Sequence, residues 1–375
     1  MLVGTSSVPA FDSAPAATGE GGIARLALLG SGTVGQAVLR RLETMQAWPG
    51  GSNFHLVYAA NTRLALADPD GLCPKASCER LVDAPRVAGC PANVLDALGP
   101  SGIRILIDAT ADAGVAASHR THLEAGVSVA TACKLAAGTS LERWRSIEQA
   151  CAVSGARFGD RATVGAGLPL LRSIRELRAG GDRIHAIAGV MSGSLAWLFD
   201  RFDGTRPFSQ LVKEARAAGY TEPDPREDLS GEDVRRKLLI LARAAGFAID
   251  SGEVAVESLV PDILASAPLA SVEPLLAELD APLAAKLGAA RAQGCTLRFV
   301  ARLDAAGARV GLETLCPSDP LASGGGTDNR VAIWSDRYAS QPLIIQGPGA
   351  GPEVTAAALI DDVLALRAAA VAARV

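Results

Sequence analysis

The chain has 375 residues, 49% of them hydrophobic, with 36 basic and 40 acidic side chains and a formal charge of −4. That is enough apolar material for two or more packed cores, and the interspersed charges make no broad positive field for a polyanion, which argues against nucleic acid. No run approaches the ~18 uninterrupted apolar residues of a membrane helix, and no basic segment precedes an apolar one at the N-terminus. The seven cysteines (73, 78, 90, 133, 151, 295 and 316) and four histidines show no paired metal-ligand spacing, which points to reduced thiols and a cytoplasmic protein.

In chain order, residues 1–22 are rich in Ala, Ser, Pro and Gly, so they read as a disordered tail. An apolar run from Arg25, a glycine turn and a helical phase through Val34, Val38 and Leu42 then predict strand, turn and helix. Further strands are expected at 54–60, 103–109 and 127–132. Strands alternating with helices over 23–155 predict an α/β, Rossmann-type doubly wound parallel sheet. From 156 to 344 long helical stretches with β-like pieces at 185–190 and 297–301 predict an α+β domain. Residues 345–375 resemble the first domain again in their strand, glycine turn and helix, and are expected to complete it.

Gly30-Ser31-Gly32-Thr33-Val34-Gly35 is a G-x-G-x-x-G after a strand and before a helix. Its glycines make a turn, admit a pyrophosphate and let the helix pack closely, with phosphate on the helix N-terminus. At the end of the second strand Ala60-Asn61-Thr62-Arg63 lacks the carboxylate that binds a ribose 2′-hydroxyl, and Arg63 can pair with a 2′-phosphate. NADP(H) is therefore expected, with NAD(H) as the alternative.

Between Gly219 and Lys237 six acids (Glu222, Asp224, Glu227, Asp228, Glu232 and Asp233) surround two prolines ahead of one helix. Ser230 reads as its N-cap and Gly246 as its stop, with Val234, Leu238, Leu241 and Ala245 as the apolar stripe. Asp233 and Lys237, four apart, share a face. By pattern alone they are equally a plain surface pair. Reduction of an aldehyde by a nicotinamide needs a proton that a lysine can supply, and an amino-acid ammonium needs acceptors such as Glu222 and Asp233.

The stretches ANTR (60–63), TACK (131–134), TVGAGLPLL (163–171), GVMSGSLAWLF (189–199), 219–243, and GPGAG with VTAA (347–357) together resemble homoserine dehydrogenase. They resemble most closely the dehydrogenase half of the bacterial bifunctional aspartokinase enzymes. The resemblance implies interconversion of L-aspartate 4-semialdehyde and L-homoserine in threonine and methionine biosynthesis, and a homodimer built from central β-strands. It casts Lys237 as acid/base, Lys134 as a second lysine at the reaction centre and beside the cofactor, and Glu222, Asp233 and Asp228 as substrate-binding acids. Thr110, Gly219 and Gly349 fall near the cofactor, with Gly30, Gly32, Thr33, Val34, Gly35, Asn61 and Arg63. A sodium-type site of backbone carbonyls would fall on Val164, Ala166 and Leu168, but an acidic position of that site is here Arg161, and Ala111 stands where relatives often carry Ser. The length leaves no room for a kinase or regulatory module, so direct feedback by threonine is not expected. A reductase of another small amino-acid aldehyde, or an inactive NADP-binding relative, are the competing readings.

Overall fold

The computed structural model describes residues 22–46, 53–82 and 94–374. The expected tail, apart from Gly22, and Cys90 lie outside the described residues. The first half contains β1 (Ala24–Leu29), α1 (Thr33–Gln46), β2 (Phe54–Ala60), β3 (Ala65–Ala67), α2 (Pro74–Val82), α3 (Val94–Leu98), β4 (Ile103–Asp108), α4 (Ala113–Glu124), β5 (Ser128–Thr131), α5 (Leu141–Ser154) and β6 (Phe158–Gly159). A 3₁₀ turn at Arg161–Thr163 leads to α6 (Leu170–Ala179), β7 (Ile184–Val190), α7 (Gly193–Arg201), α8 (Phe208–Ala217), α9 (Pro225–Leu229) and α10 (Glu232–Ala244). Then come β8 (Val254–Val256), α11 (Asp262–Ala265), α12 (Val272–Leu275), α13 (Asp280–Ala292), β9 (Thr296–Asp304), β10 (Gly307–Leu315), β11 (Asp328–Ser335), β12 (Leu343–Pro348) and α14 (Pro352–Ala372).

Among the described residues the strands make two six-stranded sheets. The first has the order β3-β2-β1-β4-β5-β6, parallel from β2 to β6 with β3 antiparallel at the edge. Its strands read as near-continuous apolar runs because both faces are covered. Leu26, Leu28, Ile105 and Ile107 pack with Val38 and Leu42 of α1 and with Leu359 and Val363 of α14. Ala27, Leu106 and Val129, on the opposite face, pack with Leu123 of α4 and Ile147 of α5. The order reverses between β1 and β4, which opens a crevice beyond the carboxyl ends of the strands. The loops after β1, β4 and β5 all enter it.

The second sheet, β12-β11-β7-β9-β10-β8, is antiparallel except for β8 against β10. One face, with Ile187, Phe299, Leu303, Val310, Val331 and Ile333, is covered by helices including α6 and α10. The other carries Ala188, Val190, Val300 and Ala332, with Leu321 and Trp334 against them.

The placement of residues 345–375 differs from expectation. β12 pairs along its length with β11, from Ile333↔Leu343 to Asp328↔Pro348, so it stays with the second sheet. Only α14 returns, packing on α1, β4 and β5. Alternating apolar residues mark a strand but not the sheet it joins, which is a matter of long-range pairing.

Gly35 lets α1 lie against the turn that precedes it, because a Cβ there would overlap the Gly30 carbonyl oxygen. Gly35→Ala is expected to push the helix off the strand and to destabilise the protein by about 1–3 kcal/mol. Thermal denaturation together with NADPH fluorescence titration checks this; unchanged melting and binding would show that the close approach is dispensable.

Candidate active site

Gly30 adopts φ +95°, and its N–H donates to the Ala60 carbonyl at 2.8 Å, which seats the turn between β1 and β2. A Cβ on Gly32 would meet nothing within 4 Å, so open space lies before the first turn of α1, where Thr33 and Val34 begin the helix. Helix-terminal N–H groups without intrahelical partners facing open space fit a dinucleotide pyrophosphate. The Asn61 side chain is engaged internally, donating to Ser31 Oγ and the Leu81 carbonyl and accepting from the N–H groups of Arg63 and Leu64. Arg63 itself is exposed.

Sequence reasoning missed the carboxylate that organises the next two loops. Asp108, at the end of β4, is fully buried and accepts from the Thr110 N–H and hydroxyl at 2.9 and 2.7 Å, and from the Thr131 hydroxyl at 2.9 Å. His119, also fully buried, meets the same oxygen as Thr131, at 2.9 Å. Thr131 in turn accepts from the Cys133 N–H, one residue before Lys134. One buried carboxyl group thus ties the Thr110 loop to the Lys134 loop. A lone Asp ending an apolar run is the signal that could have found it.

Lys134 comes from the first domain, and Asp233 and Lys237 from α10 of the second. The Asp233 carboxylate lies between the two ammonium groups, 2.8 Å from Lys237 Nζ and 3.2 Å from Lys134 Nζ. Lys237 Nζ also donates to the Met191 carbonyl at 2.7 Å, and the lysine is buried. Desolvation opposes ionisation of Asp233, but the charges of Lys237 and Lys134 outweigh it and hold the carboxyl well below the usual carboxylate range. Asp228 is different. Burial pushes its carboxyl up despite hydrogen bonds donated by Ser194 Oγ at 2.7 Å and the Glu222 N–H at 2.8 Å. The Glu222 side chain is exposed, and Gly219, at φ +74°, ends α8 just before this segment.

Two further groups join the domains. Arg243, buried on α10, donates to the Ala137 and Thr139 carbonyls, both at 2.6 Å. A Cβ on Gly138 would press against the Lys134 and Arg236 carbonyls, so this glycine lets the loop touch the helix. The α10 cap is a correction. Ser230 closes α9, which Pro225 starts, and Gly231 at φ +78° is the α10 N-cap, placing Asp233 in the first turn. A side chain on Gly231 would strike the Phe299 ring. Gly349 lies against the buried Asn329 carboxamide, whose polar atoms have no hydrogen-bond partner among the described residues and which sequence reasoning did not single out.

Residues 30–159 match the homoserine dehydrogenase NAD-binding domain family, and residues 169–364 the homoserine dehydrogenase family. A homoserine dehydrogenase of Emericella nidulans is 35% identical over 361 residues, covering 90% of this chain and 97% of its own length. The chain belongs to the homoserine dehydrogenase family. Bifunctional aspartokinase/homoserine dehydrogenase 2 of Escherichia coli is 45% identical over 260 residues, 69% of this chain, which spans about a third (32%) of that longer relative. A hyperthermophilic archaeal homoserine dehydrogenase solved with NADPH shares the fold at TM-score 0.69 and 19% identity, over 91% of this chain and 96% of that one. The family is one of NAD(P)-dependent oxidoreductases.

The homoserine dehydrogenase resemblance also raised a cation site at Val164, Ala166 and Leu168. Ala166 has φ +49°, the one non-glycine residue with positive φ among the described residues, and the Leu168 carbonyl accepts from the Leu170 N–H at 2.8 Å. Arg161 lines the same pocket as Ala166 and Leu168, together with Arg172 and Asp361. Its guanidinium contacts Asp362 at 3.1 Å. Two guanidinium groups and the Asp361 carboxylate thus share the wall of that pocket.

Asp362 is buried beside Asp160, whose two oxygens take the Arg175 guanidinium at 2.7 and 2.8 Å. Burial first, then the Asp160 charge, raises its carboxyl to about 7. An unfolded carboxyl titrates near ~4. Between those values the folded protein holds a proton that the unfolded chain has released, so stability falls as pH rises from about 4 to about 7. Asp362→Asn is expected to lack that decline. Melting curves across this range check it, and parallel profiles for the two proteins would exclude Asp362 as the titrating group.

Proposed function

We propose that the chain catalyses NADP(H)-dependent interconversion of L-homoserine and L-aspartate 4-semialdehyde. The observation that carries this reading is the Asp233 carboxylate held between the ammonium groups of Lys134 and Lys237, one from each domain, at the crevice entered by the cofactor loops.

The chemistry follows from donors and charge. A bound nicotinamide supplies or accepts the hydride at the substrate carbon. Lys237 has three N–H donors, of which one meets Asp233 and one the Met191 carbonyl, leaving the third for the substrate oxygen. In the reducing direction it donates a proton to the aldehyde oxygen, and in the oxidising direction its amine form takes the proton of the alcohol. Two ammonium groups around one carboxylate leave one net positive charge, which favours the negative charge that develops on that oxygen. Lys134 contributes the second of these charges. The exposed Glu222 carboxylate, beside Asp228 and on the same segment as Asp233, supplies acceptors for the substrate ammonium.

NADP(H) rather than NAD(H) is favoured by the missing carboxylate at the end of β2 and by the exposed Arg63, and an archaeal relative was solved with NADPH. The Gly30, Gly32 and Gly35 turn with Thr33 and Val34 takes the cofactor pyrophosphate, and the family resemblance assigns Thr110, Gly219 and Gly349 to the same ligand; Asn61 ties the turn from behind through Ser31. A homodimer through the outer face of the second sheet is supported by the exposed Ile344 and the half-buried Trp334, which flank the buried Ala332 on that face. Among the described residues no helix is long and apolar enough to cross a membrane, and a cytoplasmic location is supported by the free thiols.

The direct test is nicotinamide absorbance with L-homoserine and each oxidised cofactor. Turnover with NADP⁺ is expected; none with either cofactor overturns the reading. Lys237→Ala is expected to lower kcat by about 10²- to 10⁴-fold with NADPH binding retained. A variant that keeps its turnover removes Lys237 from proton transfer. Arg63→Ala is expected to raise KM for NADPH more than for NADH, since only the former carries a 2′-phosphate; equal increases would assign that recognition elsewhere.

A further inference from the structure

Cys295 and Cys316 lie outside the active site, and nothing in the reaction uses them. The antiparallel ladder of β9 and β10 runs from Asp304↔Gly307 out to Thr296↔Leu315. The next residues outward are Cys295 and Cys316, so the pair stands across the open end of the hairpin. Their Sγ atoms are 2.6 Å apart. Both backbones are held: the Cys295 N–H donates to the Ala290 carbonyl at the end of α13, and the Cys316 carbonyl accepts from Asp319 N–H at 2.8 Å. Strand alternation puts Cys295 on the face of Leu297 and Phe299, and Cys316 on the face of Val310 and Leu312, which is the helix-covered face and not the one assigned to the dimer. Cys295 is buried and Cys316 exposed.

We propose that Cys295 and Cys316 form a reversible intramolecular disulfide by exchange with a small-molecule disulfide of the glutathione class. The exposed Cys316 thiolate attacks one sulfur of glutathione disulfide, breaking its S–S bond and releasing one glutathione thiolate. Cys295 then attacks the Cys316 sulfur of the mixed disulfide, forming the Cys295–Cys316 bond and expelling the second glutathione. The two cysteine thiols are oxidised and lose two protons and two electrons; glutathione disulfide is reduced and gains both as two thiols. The order follows from access, since only Cys316 reaches solvent. The hydrogen bond with Cys316 and burial also hold the Cys295 thiol above its usual range, so it is the poorer first nucleophile. The cross-link joins residues 21 positions apart and so restricts the unfolded chain. It also pins the strand whose Phe299 ring abuts Gly231 at the head of α10.

The full-length protein, incubated in glutathione disulfide and then in dithiothreitol, is followed by intact mass, thiol alkylation, peptide mapping and thermal melting. Expected in the oxidised sample are a loss of two hydrogens, one cross-link joining the Cys295 and Cys316 peptides, and a higher Tm, all reversed by dithiothreitol. Cys295→Ser should halt at one glutathione on Cys316, and Cys316→Ser should leave Cys295 unmodified. Alkylation of both thiols after oxidation, a cross-link between other cysteines, or a Cys316–Cys316 link between two copies overturns the proposal.

Discussion

A single carboxylate between two ammonium groups is the contact on which the site depends. Lys134 and Lys237 carry like charges on separate domains and would repel if brought together alone. Asp233 offsets that repulsion, with one oxygen for each lysine. The arrangement holds only if α10 meets the 134–139 loop at one distance and one rotation. Arg243 fixes the distance by gripping two loop carbonyls, and Gly138 allows the contact by lacking a side chain. Gly231 sets the rotation, since its left-handed backbone turns the chain sharply from α9 into α10 against the Phe299 ring.

Asp108 does for the first domain what Asp233 does for the junction. The loops after β4 and β5 leave neighbouring parallel strands at the same edge, and without a common anchor each would settle by its own turn preferences. Thr110 and Thr131 bind to one buried carboxylate, so the two loops are placed relative to each other. The pocket at Ala166 and Leu168 lies apart from these anchors, and Arg161, Arg172 and Asp361 set its charge.

Much of the fold was legible because it is written in local patterns. The apolar run, the glycine turn and the 3.6-residue phase after it specify a strand, a phosphate loop and a helix with little help from elsewhere. In the segment 219–243 pattern alone left Asp233 and Lys237 equally readable as a surface pair, and the resemblance of the whole stretch to homoserine dehydrogenase singled them out. What could not be read depends on distant partners. Ser230 has the chemistry of an N-cap, yet Pro225 starts a separate helix that claims it as a C-cap. β12 has the alternation of any strand, and only its ladder with β11 assigns it to the second sheet. Asp108, Arg243 and the Cys295–Cys316 pair acquire their meaning from residues 23, 106 and 21 positions away.

The return of α14 to the first sheet sets the order in which the molecule can mature on the ribosome. Leu359, Val363 and Leu366 fill the face of the sheet that Leu26, Leu28 and Ile105 present, and Arg367 donates to the Gly22 carbonyl at the opposite end of the chain. The dinucleotide half is begun before the second domain and closed after it, with that whole domain emerging between. Nascent chains therefore carry an uncovered apolar face while the second domain is made, a stretch in which chaperone protection matters.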